Sequence, residues 1–98
     1  MKVSEVDAKE LAEYARLDDP GEIELKELER MRGSAVAMVT AYTGLSEEEL
    51  DEHEDITQAL FVLVMDMFDN RNLLIDYKST NLNPAVKTIL DMHSVNLL

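Results

Sequence analysis

Apolar side chains fall along this chain in two rhythms. Leu25, Leu28, Met31, Ala35, Met38, Val39 and Tyr42 recur at intervals of three and four, which draws one stripe down a long amphipathic helix. The other side of that helix carries Glu22, Glu24, Lys26, Glu27, Glu29 and Arg30. From Ile56 to Phe68 the pattern changes: ten of thirteen residues are apolar, and they cover most of a helical circumference. One neighbouring helix cannot shelter such a rod, so either several helices surround it or another subunit does. The run is too short to cross a bilayer, which takes roughly 20 apolar residues.

The boundaries of these and the remaining elements follow from caps and breakers. Ser4, followed by Glu5 and Asp7, predicts the start of a first helix that runs to about Arg16, with acids at the positive end of its dipole. Its inward stripe is Ala8, Leu11, Ala12 and Ala15, with Tyr14 at the edge. Asp19 and Pro20 read as cap and first position of the second helix, and Gly44 suits the left-handed residue that closes it. Gly33-Ser34, in mid-helix, suits either a bend or a close helix crossing, or else is a plain local loss of helix stability. Ser46 and Glu49 have capping-box spacing. The apolar helix spans about 54–71, residues 72–82 read as an ordered loop, and Asn83-Pro84 opens a short last helix with Val86, Ile89, Leu90 and His93 on one face. The expected fold is all-α: a single domain, residues 1–98, with about four helices around the apolar one.

Composition sharpens this. Two prolines, three glycines and 5% aromatics suit helices. A 98-residue chain without cysteine has neither disulfides nor thiolate chemistry, and its modest core would gain from oligomerisation. The amino-terminal residues lack the apolar core of an export signal, which points to the cytosol. The net charge of −12 is lopsided: residues 1–55 hold 17 of the 21 acids and 6 of the 9 bases, a net of −11, which leaves −1 for the rest. Such a surface repels phosphate backbones and anionic membranes.

The search for chemistry points away from an enzyme. No phosphate loop and no nucleophile motif is present, and no cofactor is expected. Glu49 and His53 stand four apart, but no second histidine lies near them in sequence and zinc spacings are missing, so no metal site is expected. The surroundings of Gly21 put Arg16 and Pro20 where a calcium loop needs acids. His93 is read as having no carboxylate arranged to orient it, and so as a surface or interface residue. More suggestive is the polar end of the apolar helix, Asp69, Asn70 and Arg71. There an arginine can bond carbonyls of its own helix end or bridge to acids at the exit of the first helix beside Arg16, such as Asp18 or Asp19.

Four segments, Leu11-Ala12-Glu13-Tyr14-Ala15-Arg16-Leu17-Asp18, Thr40-Ala41-Tyr42-Thr43-Gly44-Leu45, Phe68-Asp69-Asn70-Arg71 and Asn83-Pro84-Ala85-Val86 with Ile89-Leu90-Asp91-Met92-His93, carry a resemblance that covers nearly the whole chain. Together they resemble the head-tail connector (adaptor, or DNA-packaging) proteins of long-tailed double-stranded DNA phages and prophages. Phe68 stands where that family often has tyrosine, Asp69 where it often has glutamate, and Ala15 where a larger aliphatic is common. The resemblance implies a non-enzymatic structural subunit of the virion neck, assembled in the host cytoplasm as a homo-oligomeric ring of about a dozen copies. It would sit beneath the portal protein, lengthen the DNA channel and dock the next neck or tail completion protein. DNA would pass without specific binding, and no membrane is involved. On that reading Glu22, Glu24, Glu27, Glu29, Glu47, Glu48, Asp51 and Glu52 are candidate channel-facing acids. Leu74, Ile75, Tyr77, Val95, Leu97 and Leu98 are candidate interface residues. The alternative is an acidic helical DNA mimic or regulatory binding protein, with carboxylates spaced like phosphates.

Overall fold

The computed structural model describes residues 1–70 and 83–95. Among them the protein is an all-α bundle: a 3-10 turn Val3–Glu5, then α1 Ala8–Tyr14, α2 Glu22–Thr43, α3 Glu47–Leu50, α4 Glu54–Asp69 and α5 Pro84–His93. The expected loop at 72–82 and the end of the tail at 96–98 lie outside the described residues.

The amino terminus departs from expectation. Ser4 belongs to the 3-10 turn, and its N–H donates to Asp51 Oδ1 at 2.9 Å. Asp7 caps α1 instead, its Oδ1 accepting from the Glu10 N–H at 2.9 Å. The helix closes just short of Arg16. That residue takes a left-handed backbone (φ 58°) while Leu17 N–H bonds to Ala12 C=O and Arg16 N–H to Glu13 C=O, the paired bonds of a Schellman stop. Asp19 is left-handed too (φ 50°) and cannot supply the extended backbone of a cap. Gly21 takes that place, its N–H held by Glu24 Oε1 at 3.2 Å, so Pro20 falls outside the helix.

Elsewhere the predicted devices are present. Gly44 ends α2 with φ 78°, and its N–H donates to Thr40 C=O at 2.9 Å. Ser46 and Glu49 cap each other reciprocally at 3.2 and 3.0 Å. Asn83 Oδ1 accepts from the Ala85 N–H at 2.8 Å, with Pro84 opening α5. Gly33 sits in the unbroken α2, and a methyl group there would meet nothing within 4 Å, so it marks no close helix crossing.

Helix α4 forms the centre, flanked by α1, α2, α5 and the 3-10 turn. Ile56, Ala59, Leu60, Leu63, Val64 and Met67 are buried on it, and Val62 and Met65 are partly covered. Of the two ways to shelter an all-round apolar helix, the first holds: the chain's own helices do it. The burial of α4 therefore creates no demand for a second subunit. Tyr14 closes the edge, its ring 4.9 Å from that of Phe61. Arg32, half-buried on α2, donates from Nε to Val6 C=O and from Nη2 to Val3 C=O at 3.4 Å, fastening the amino-terminal segment to α2.

Candidate functional site

A cluster of polar side-chain contacts forms at one end of the bundle. Helix α2 ends there, α3 turns the chain over, α4 begins and α5 finishes. Segments quoted above for the resemblance, Thr40–Leu45 and Asn83–His93, meet at this end although some forty residues separate them in the chain.

Each member of Tyr42-Thr43-Gly44 has a distinct task. The Tyr42 hydroxyl donates to Asp91 Oδ1, and Lys87 Nζ reaches Asp91 Oδ2 at 2.8 Å. Asp91 is held below the usual carboxylate range by the hydrogen bond from Lys87, then by that from Tyr42. The Tyr42 phenol is in turn pushed up, first by its hydrogen bond to Asp91, then by burial and by the Asp91 charge. Thr43 is fully buried. Its hydroxyl donates to Val39 C=O at 2.7 Å and accepts from the Leu45 N–H at 3.2 Å, satisfying both the helix end and the turn. Gly44 supplies the left-handed stop. The carboxy-terminal segment then docks on this corner: Val95 N–H donates to Thr43 C=O at 2.7 Å and Ser94 Oγ to Tyr42 C=O at 3.3 Å. Val95, a predicted interface residue, has a bound backbone and an exposed side chain.

Next to this corner the two histidines come together. Their rings stack with centroids 4.0 Å apart, and His93 Nε2 lies 2.7 and 2.9 Å from the Asp55 carboxylate oxygens. The reading of His93 as lacking a carboxylate, and of His53 as lacking a second histidine, is overturned. Antiparallel packing of α5 on α4 joins residues 38 positions apart, a separation that no local spacing rule detects. Burial raises the Asp55 carboxyl. The His93 hydrogen bond and charge, with backbone N–H groups at the start of α4, outweigh that and hold it low.

The candidate acids divide between the two ends. Glu47, Glu48, Asp51 and Glu52 belong to the corner just described, whereas Glu22, Glu24, Glu27 and Glu29 occupy the first two turns of α2. The stretch from Glu29 to Thr43 alone adds about 21 Å of helix rise between the groups. Glu24 and Asp51 among these acids have structural work. Glu24 holds the Gly21 N–H. Asp51 holds Ser4, whose backbone N–H is the main reason its carboxyl lies low. Glu29 lies 3.8 Å from Arg32.

The expected polar cluster is met only in part. Asn70 closes α4, its amide Nδ2 and its backbone N–H both donating to Asp66 C=O at 3.0 and 3.1 Å; this is the helix-end task foreseen for the arginine. Asp69 is exposed, as are Arg16 and Asp18, and no ion pair joins Arg16 to Asp18 or Asp69 among the described residues. Arg71, Leu74, Ile75, Tyr77, Leu97 and Leu98 lie outside the described residues.

Compared with known proteins, the chain matches no family model, no curated protein and no solved structure.

Proposed function

We propose that this chain is a structural head-tail connector subunit of a tailed phage or prophage, which joins copies of itself into a ring beneath a portal and offers a docking surface to the next neck component. One observation carries the reading. Segments that resemble the connector family one by one, Thr40–Leu45 and Asn83–His93, also bond to each other through Tyr42–Asp91, and the residues that directly follow the second, Ser94 and Val95, bond to Tyr42 and Thr43. Unrelated coincidences in sequence would have no reason to converge on one corner of a fold.

The electrostatics support the same role. A conduit wall must pass DNA without gripping it, and acids at both ends of α2 meet that need by repulsion. Since α4 is already sheltered, association would draw on other apolar groups that stand in solvent, such as Ile23, Met92 and Val95. Such an interface forms between folded subunits and depends on concentration and on the portal template.

Sedimentation over a range of concentrations, with and without portal-bearing heads encoded by the same genome, followed by imaging of those heads, tests the proposal. A ring of density below the portal is the expected result. A chain that stays solitary at every concentration and never binds heads overturns it; capture of a basic DNA-binding enzyme, reversed by DNA, would establish the mimic instead. Replacing Glu47, Glu48 and Glu52 together by lysine is expected to slow DNA passage in assembled necks.

A further inference from the structure

We propose that His53, Asp55 and His93 form a binding site for a divalent transition-metal ion of the zinc type, which ties the end of α5 to the start of α4. One ligand atom from each residue already lies within 4.8 Å of the other two. Bond lengths of about 2.0–2.2 Å to imidazole nitrogen and carboxylate oxygen put tetrahedral ligands about 3.4 Å apart, so rotamer adjustment of roughly an ångström closes the set. Two imidazoles and one carboxylate are donors that favour zinc, cobalt or nickel over magnesium or calcium. All three side chains are half-buried, which leaves room for water in the remaining position.

The ligands stand on anchored backbone. His53 precedes the first turn of α4 and Asp55 lies within it. His93 ends α5, and that end is fastened to α2 by the bonds of Asp91, Ser94 and Val95. Little ordering is left for the ion to impose. The surroundings also attract a cation: Glu47 to Asp55 contains seven acids, a field that raises the local cation concentration. In the metal-free arrangement His93 Nε2 is hydrogen-bonded to the Asp55 carboxylate; the ion takes the place of that bond and recruits the stacked His53 ring. The outcome is a clasp beside Ser94 and Val95, where they dock on the end of α2.

The full chain without an affinity tag, at neutral pH, is titrated with Zn2+ while the imidazole resonances are followed by NMR. Because the chain has two histidines, both signals can be assigned without ambiguity. Expected are saturable one-to-one binding, shifts of both rings and a higher melting temperature. His53→Gln and His93→Gln, each verified as folded by circular dichroism, are expected to weaken affinity at least about tenfold. Mg2+ at the same concentration is expected to leave the rings unmoved. Three results overturn the proposal: no shift of either ring in the unmodified chain, equal affinity in the glutamine variants, or equal effects of Zn2+ and Mg2+, which would mean diffuse attraction to carboxylates only.

Discussion

Helix α4 and the first half of α2 are both regular helices, yet opposite forces hold them. On α4 nearly every side chain from Ile56 to Phe68 faces protein, and Leu63 and Val64 are wholly enclosed. In the first nine residues of α2 only Leu28 is buried, Leu25 is partly covered, and Ile23 stands 83% exposed among charged neighbours. Apolar burial stabilises the first by about 1.5–3 kcal/mol for each large side chain enclosed. The second depends on its Gly21–Glu24 cap, its acids at the positive dipole end and its continuity with the buried half of α2. Helix type is thus a poor guide to stability, and the greasier helix is not the one that leaves its large apolar side chain in solvent.

The sharpest break in that contrast should come from Leu63→Ala. Removing a wholly buried leucine from the centre is expected to cost about 2–5 kcal/mol, seen as a lower urea midpoint; a loss below about 1 kcal/mol would show that α4 is loosely packed. Thr57→Val, six positions away on the same helix, should act the other way. The Thr57 hydroxyl is buried without a partner among the described residues, so the isosteric change is expected to stabilise by about 1–2 kcal/mol. If it destabilises instead, the hydroxyl has a bond in solution.

On α2, Gly33→Ala is expected to stabilise by about 0.5–1 kcal/mol, since the helix is continuous and the added methyl meets nothing. A loss of stability there would point to a neighbour packed on that face. Acidification probes the carboxylate bonds at the end of the bundle where α4 begins. Glu49, Asp51, Asp55 and Asp91 all lie low in the folded protein, so their contribution is complete above the ordinary carboxylate range of about pH 4 and disappears as pH falls through their folded values. Urea midpoints should therefore drop on going from about pH 6 to about pH 3, and less so in Asp55→Asn; a flat profile would contradict these bonds. The smallest effect on stability, within about 0.5 kcal/mol, is expected for Ile23→Gln. The same change should weaken self-association if α2 contributes to a ring, and sedimentation separates the two effects.

Much of the architecture was legible beforehand because local rules govern it. Glycine at Gly44, the Ser46–Glu49 box and Asn83-Pro84 act within four residues of themselves, and the stripe of α2 needs only helical period. The errors cluster where two local signals compete. Ser4 and Asp7 both suit a cap, and contact with Asp51 assigns Ser4 to the 3-10 turn. Asp19, Pro20 and Gly21 offer three starts for α2, and the left-handed backbone at Asp19 leaves only Gly21. Of the candidate site, the acids and Asn70 could be placed from their element, but not the histidine pair.

Composition and periodicity, unaided, determined that the chain is helical, where most helices begin and end, and that one helix must be enclosed. Whether the enclosing surface belonged to the same chain was decided only by tertiary packing, because an apolar side chain carries no mark of what will cover it. The same holds for His53, Asp55 and His93: their meeting depends on the antiparallel alignment of α4 and α5 and on the fastening of Ser94 and Val95 to the end of α2, contacts between residues too distant in the chain for spacing to foretell.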